Sequence, residues 1–263
     1  MHMTELPNLT IHSMKSDDLA FAAACTTAEG WADEDLDTLL GFHLHDARGC
    51  FIARLDGQAA GMSVATSYGT TGFIGELIVI PEARGRGIGA ALLKHSVDYL
   101  HHCGAQTIYL DGVVKAVPLY ERNGFRKICR SLRFLGRLAG KQHNEIRPMQ
   151  AEDLPEVNDL DRQAFGAERS FFLTRRLKIH PELAKVLVYD GKIAGFIQGR
   201  RGEGWLAVGP WVAAECAKDP VKLLETFAHE TGGVAFTLGV LECNQPAVKL
   251  IRSLGFAERV DSP

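Results

Sequence analysis

Read for alternation and period, the first half of the chain predicts a run of well-marked elements. "CFIARLDGQAAGMSVAT" from Cys50 is two alternating apolar stretches around Asp56 and Gly57, and an AspGly pair between such stretches predicts a tight hairpin. "GFIGELIVI" from Gly72 predicts a further strand. From Ile88 to Leu100 the period lengthens to that of a helix, with Ala91, Leu92, Leu93, Val97 and Leu100 on one stripe and Gly104 as its stop. "TIYLDGV" predicts a strand, and "VPLYERNGF" a short helix closed by Gly124.

The second half follows the same order. It predicts a helix near 152–164, a hairpin at Asp190 and Gly191, a strand near 205–211, a helix near 220–230, and a last strand and helix. Mixed strands and helices in this order predict an α/β or α+β class, each half a mixed, mostly antiparallel sheet flanked by helices. The similarity extends to residue identity: "IHSMKSDDL" at 11–19 answers "IRPMQAEDL" at 146–154, "DGQAAG" at 56–61 answers "DGKIAG" at 190–195, and "AVPLYERNGF" at 116–125 answers "AVKLIRSLGF" at 247–256. Offsets of 135, 134 and 131 drift so little that a tandem duplication is expected. The joint is expected within "GRLAGKQHNE", so the domains are placed at 1–138 and 144–263.

Composition narrows the class. The 263 residues are 46% hydrophobic and 23% charged, a balance that fits folded domains and excludes a disordered chain. A net charge of −3 gives no basic footprint for nucleic acid or an anionic membrane, so any anion binding must be local. No apolar run approaches the roughly 18 residues of a membrane span, and the start lacks the regions of a signal peptide, which together predict a cytoplasmic protein. Six scattered cysteines without a CxxC pair read as reduced thiols.

The candidate chemistry lies in "PEARGRGIGAALL", residues 81–93. Glycines between a strand and a helix start expose backbone N–H groups, and the helix dipole adds positive charge, so the loop predicts an anion cradle. Arg84 and Arg86 add donors suited to phosphate. A P-loop is excluded because no GlyLysSer or GlyLysThr closes the motif. A dinucleotide fingerprint is matched by Gly85, Gly87 and Ala90 with Asp111 following, but "PEAR" separates it from the strand and several strands have already passed.

"RGRGIG" from Arg84 to Gly89 resembles the (Arg/Gln)xxGx(Gly/Ala) pyrophosphate loop of the GNAT acetyltransferases, and "AVPLYERNGF" is similar to that family's later AxxLYxxxGF helix. The resemblance covers most of residues 10–130 and, through the repeat, extends more loosely to the second half. It implies acetyl transfer from acetyl-CoA to an amine, with the CoA pyrophosphate on the amides of Arg84, Gly85, Arg86, Gly87, Ile88, Gly89 and Ala90. It further implies that Ile78, Val79 and Ile80 splay from the neighbouring strand and hydrogen-bond the pantetheine. Val113 stands where many members carry Asn.

Such a transfer needs a base for the ammonium, a donor for the thioester oxygen and an acid for the thiolate. Tyr120 matches the family's tyrosine and is the candidate acid. Glu76, a carboxylate within an apolar strand, is the candidate base, directly or through water. The oxyanion donor is expected from a backbone N–H near Val79. Trp31, within the acidic "EGWADED", either contacts substrate or caps the core. His43 and His45 lack a third ligand at metal spacing, and Cys103 and Cys129 have no partner histidine placed by the sequence, so no metal or thiol nucleophile is assigned.

The second copy serves as an internal control. Gly85, Gly87 and Gly89 map onto Cys216, Lys218 and Pro220, Arg84 onto Glu215, and Tyr120 onto Ile251, while Asn244 takes the place of Val113. Proline and glutamate remove donors and repel an anion. One CoA site per chain is expected, in the first copy, with the second as support and one wall of the acceptor pocket. The acceptor is expected to be a primary amine of a small molecule, with a protein lysine or N-terminus as the same-class alternative and a non-catalytic CoA sensor as the other. A monomer or homodimer is expected, without nucleic acid or membrane partners.

Overall fold

Asp18 and Asp153 explain why the two halves begin alike. In the computed structural model, which describes residues 8–31, 34–201, 206–215, 217 and 219–259, Asp18 accepts the Lys15 N–H at 2.9 Å and Asp153 the Gln150 N–H at 2.7 Å. Each carboxylate thus closes a capping box over the single 3-10 turn that opens the first helix of its half. Each also meets a guanidinium, Asp18 that of Arg54 at 2.5 Å and Asp153 that of Arg147 at 2.6 and 2.8 Å. The repeated MetxxxAspLeu is therefore a helix start with a strand-borne counter-charge.

The chain divides after Arg126 into two units. In the first, strands β1 (Leu9–Ser13), β2 (Cys50–Leu55), β3 (Gln58–Tyr68), β4 (Thr71–Val79) and β5 (Thr107–Leu110) form one sheet in that order. All neighbours are antiparallel except β4 and β5, which are parallel. The AspGly hairpin forms as expected: Asp56 (φ 51°) and Gly57 (φ 80°) are both left-handed, the geometry of a type I′ turn. Asp190 and Gly191 repeat it in the second unit at 50° and 76°. Helices α1 (Leu19–Ala28) and α2 (Leu36–Asp46) cover one face of the first sheet, packing Leu19, Ala22 and Leu39 on Ile52, Met62 and Val64. Helix α3 (Ile88–His102) covers the other, with Leu92, Leu93 and Leu100 on Phe51, Ala53 and Ala65. The short α4 (Val117–Arg122) follows β5.

The second unit contains β6 (Ser131–Gly136), β7 (Ile146–Pro148), α5 (Leu154–Phe165), α6 (Ser170–Ile179), β8 (Ala184–Tyr189), β9 (Lys192–Arg201), β10 (Leu206–Ala213), α7 (Val221–Glu230), β11 (Phe236–Leu241), α8 (Gln245–Ser253) and β12 (Ala257–Glu258). The sheet order is β12-β6-β11-β10-β9-β8-β7. This differs from the boundary expected at 138. Strand β6 follows directly on the first copy's last helix in sequence, yet pairs antiparallel with β11 (Ser131↔Leu241 to Gly136↔Phe236) and with β12 (Leu135↔Ala257). Burial is the physical reason: Leu132 and Phe134 enter a core with Phe236 and Phe256. The apolar alternation of β6 is local information, but the sheet that accepts it is not. Among the described residues no helix is long and apolar enough to cross a membrane.

Candidate active site

The loop before α3 is built by a 3-10 turn, Pro81–Ala83, followed by two left-handed glycines, Gly85 (φ 75°) and Gly87 (φ 82°). Gly87 is the N-cap of α3 and no side chain caps the helix. Its first backbone bond is Ala91 N–H to Gly87 O at 3.1 Å, so the amides of Ile88, Gly89 and Ala90 have no intrahelical acceptor. The buried Ile88, Leu92 and Leu93 hold this helix start against the sheet. The result is an uncapped N-terminus packed on the sheet, with Arg86 exposed beside it.

Next to it, β4 carries a bulge that sequence reasoning did not anticipate. Val64 pairs with Gly75 and Met62 with Ile78, so Glu76 and Leu77 together oppose Ser63. Glu76 takes up the extra residue at φ 49°, in the left-handed region. The ladder to β5 stops at Ile74↔Leu110, and β4 runs on to Val79 with that edge open. Past the end of β5, β4 thus continues without a ladder partner on that side, and the polar groups it turns there are fewer than expected. Ile80 N–H donates to Ala60 O at 3.0 Å, so Ile80, and by alternation Ile78, face β3. Of the three residues, only Val79 turns its N–H and C=O toward the open edge.

Arg84 also departs from expectation. Its N–H donates to Pro81 O at 3.2 Å and its Nε to Val79 O at 2.9 Å, while its guanidinium pairs with Glu29. Both amide and side chain are committed within the protein, so Arg84 shapes the loop where a direct phosphate donor was expected. Lys115 Nζ meets the other Glu29 oxygen at 2.9 Å. Burial works to raise the Glu29 carboxyl, but the hydrogen bonds and charges of Lys115 and Arg84 outweigh it and hold the group below its ordinary value. Glu29, whose side chain is 14% exposed, thus ties the end of α1 to the loop and to the turn before α4. Sequence reasoning passed over it. The available signal was an acid at a helix C-terminus, where the dipole disfavours negative charge unless cations compensate.

Gly89 shows how closely these parts converge. A Cβ there would lie 3.5 Å from Leu119 of α4, 3.7 Å from Val79 and 3.9 Å from Leu77 of β4. Tyr120, the next residue on α4, is buried with its ring packed over Gly112, where a Cβ would come within 2.3 Å of Tyr120 Cε2. Burial first, and then the charge of Asp111, push its phenol above the ordinary value, so it is protonated at neutral pH. Glu76 is half-buried, with Oε2 shielded from solvent. Trp31 follows α1, with its N–H on Thr26 O at 2.9 Å and its ring against the core containing Ile78 and Met62. His43 directs Nε2 to Met14 O at 3.2 Å.

An acetyltransferase (GNAT) family model matches residues 16–125, and an acetyltransferase (GNAT) domain model matches residues 157–263. The chain belongs to the GNAT family. It is a tandem, two-domain N-acetyltransferase, of a family that uses acetyl-CoA as co-substrate. It is similar to the holothin acyltransferase of Pseudoalteromonas sp. (strain SANK 73390), 23% identical over 88% of this chain and 78% of the relative. It is also similar to the glucosamine 6-phosphate N-acetyltransferase of Trypanosoma brucei brucei, 36% identical over 24% of this chain and 42% of the relative. In fold it matches a GCN5-related N-acetyltransferase from Sphaerobacter thermophilus (TM-score 0.67, 20% identity, 96% and 93% of the two chains). It likewise matches a tandem GNAT protein from the clavulanic acid biosynthesis pathway (TM-score 0.65, 16% identity, 94% of each chain).

The second GNAT unit keeps the frame of the first. β10 pairs parallel with β11 only from Leu206 to Val208, and a register shift follows before Trp211. The helix after it is different, since α7 starts at Val221 with Pro220 at its N-cap, in ordinary right-handed geometry. Cys216 and Lys218 lie outside the described residues. Ile251, in the place of Tyr120, is buried in the core. Asn244, in the place of Val113, serves the helix that follows it, where its Oδ1 accepts the Ala247 N–H at 3.3 Å and caps α8.

Proposed function

We propose that this GNAT enzyme transfers the acetyl group of acetyl-CoA to the primary amine of a small molecule, with one CoA site per chain, in the first unit. The uncapped start of α3 beside the open edge of β4 carries this reading. The amides of Gly85 to Ala90 and the Arg86 side chain would hold the pyrophosphate, and the lone pair of Val79 O that Arg84 leaves would accept from the pantetheine. Arg84 acts indirectly, by fixing Val79 O and the loop.

Acetyl-CoA supplies the thioester. Glu76 removes the proton of the acceptor ammonium, through water, and Val79 N–H donates to the oxygen that gains charge. Tyr120, kept protonated by burial, donates to the departing sulfur. Trp31 lines the acceptor side. The small-molecule class is supported by relatives whose names carry holothin and glucosamine 6-phosphate as acceptors.

The test is acetyl-CoA turnover with amino sugars, polyamines and amino acids on one side and lysine or N-terminal peptides on the other. Turnover of small amines is expected. Turnover confined to peptides would reject the acceptor class. Glu76→Gln and Tyr120→Phe should each lower kcat/KM by about 10²-fold, and unchanged rates would reject their roles. Titration calorimetry should give one CoA per chain, lost in Arg86→Glu with the fold intact.

A further inference from the structure

Away from this site, two thiols face each other across the second sheet. The β6–β11 ladder ends at Ser131↔Leu241, but pairing continues one residue further, where Glu242 N–H donates to Arg130 O at 2.8 Å. The Arg130 guanidinium grips the Glu242 carboxylate on the same side, at 2.8 and 3.0 Å. Hydrogen-bonded and non-hydrogen-bonded pairs alternate along an antiparallel ladder. The next pair outward, Cys129 and Cys243, is therefore of the non-hydrogen-bonded type, in which side chains lie closest. The pleat turns both away from the core side occupied by Leu132 and Phe134. Their sulfurs are 3.7 Å apart, both are free thiols, Cys243 is exposed and Cys129 partly so.

We propose that Cys129 and Cys243 form an oxidisable dithiol that closes to a cross-strand disulfide under peroxide. Opposed residues of this pair type fall within the Cα separation a disulfide spans, and the sulfurs need to approach by less than about 2 Å, which side-chain rotation supplies. The Cys243 thiolate attacks one peroxide oxygen, the O–O bond breaks and hydroxide leaves, giving a sulfenic acid on Cys243. The Cys129 sulfur then attacks that sulfur and displaces hydroxide, which leaves as water with the Cys129 proton. Two thiols are oxidised and one peroxide is reduced to two waters.

The order follows from exposure. Cys243 is exposed and reacts first, while burial, and then the hydrogen bond with Cys243, raise the Cys129 thiol. Cys25 and Cys50, pushed by burial to about 11 and about 12, stay protonated and do not compete. The bond would fasten the start of β6 to the end of β11, across 114 residues of sequence.

The full-length chain, reduced, treated with hydrogen peroxide and alkylated, should yield one linked peptide pair containing Cys129 and Cys243. Thiols titrated after denaturation should fall by two from the six in the sequence. The Tm should rise by roughly 5–10 °C and return on addition of dithiothreitol. Cys129→Ser should leave a sulfenic acid on Cys243 that dimedone captures, and Cys243→Ser should leave Cys129 unoxidised. A folded protein that gives no linked pair, or that links Cys243 between two chains instead, overturns the proposal.

Discussion

Gly87 and Gly89 stand two residues apart in the loop and carry different constraints. At φ 82° Gly87 needs a backbone that other residues adopt at a cost of about 1–2 kcal/mol. Gly87→Ala should lose about that much stability and raise the KM for acetyl-CoA about tenfold or more, because the amides of the helix start would shift with it. Gly89 is helical, and a methyl added there would meet Leu119 and Val79 at 3.5 and 3.7 Å, which are ordinary contact distances. Gly89→Ala should therefore gain up to about 1 kcal/mol and leave KM nearly unchanged. Thermal melts and steady-state kinetics of the two variants check both expectations. Glu76 shows how far a single residue was legible: a carboxylate in an apolar strand marks itself, but the left-handed bulge that holds it depends on the register between β3 and β4.

Among the elements, α5 and β7 are joined by Asp153 and Arg147. Chiefly the hydrogen bonds from Arg147 hold the Asp153 carboxyl below its ordinary 3.8 in the folded protein. A lowered value means that the pair stabilises fully above the unfolded value and that this contribution disappears as pH falls through the folded one. Asp153→Asn should cost about 1–2 kcal/mol at pH 7, a modest figure because Arg147 is half exposed. The difference from the unaltered protein should shrink below pH 3.8, which urea unfolding over a pH series measures. The helix start was visible in the sequence as a repeated motif, whereas the guanidinium partners were not, since Arg54 and Arg147 sit at unrelated positions of the repeat.

For the whole molecule, the placement of β6 between β11 and β12 sets where the chain divides. A fragment beginning at Lys127 should fold cooperatively, and one beginning at Asn144 should not, because it would leave Phe236 and Phe256 without Phe134 and expose the inner edge of β11. Circular dichroism melts of the two fragments separate these outcomes. Equal stability would show that β6 is dispensable to the second sheet.

The duplication, the two AspGly hairpins, the extent of α3 and the glycine loop that opens it could all be read from local pattern, because each rests on turn chemistry or periodicity within a short stretch of chain. Long-range packing selected the sheet that takes β6, the place where β4 bulges and its ladder to β5 ends, and the pairing of Arg84 with Glu29 and Val79. Those outcomes depend on pairing between residues far apart in sequence, where burial and charge compensation select among partners that local pattern leaves equivalent.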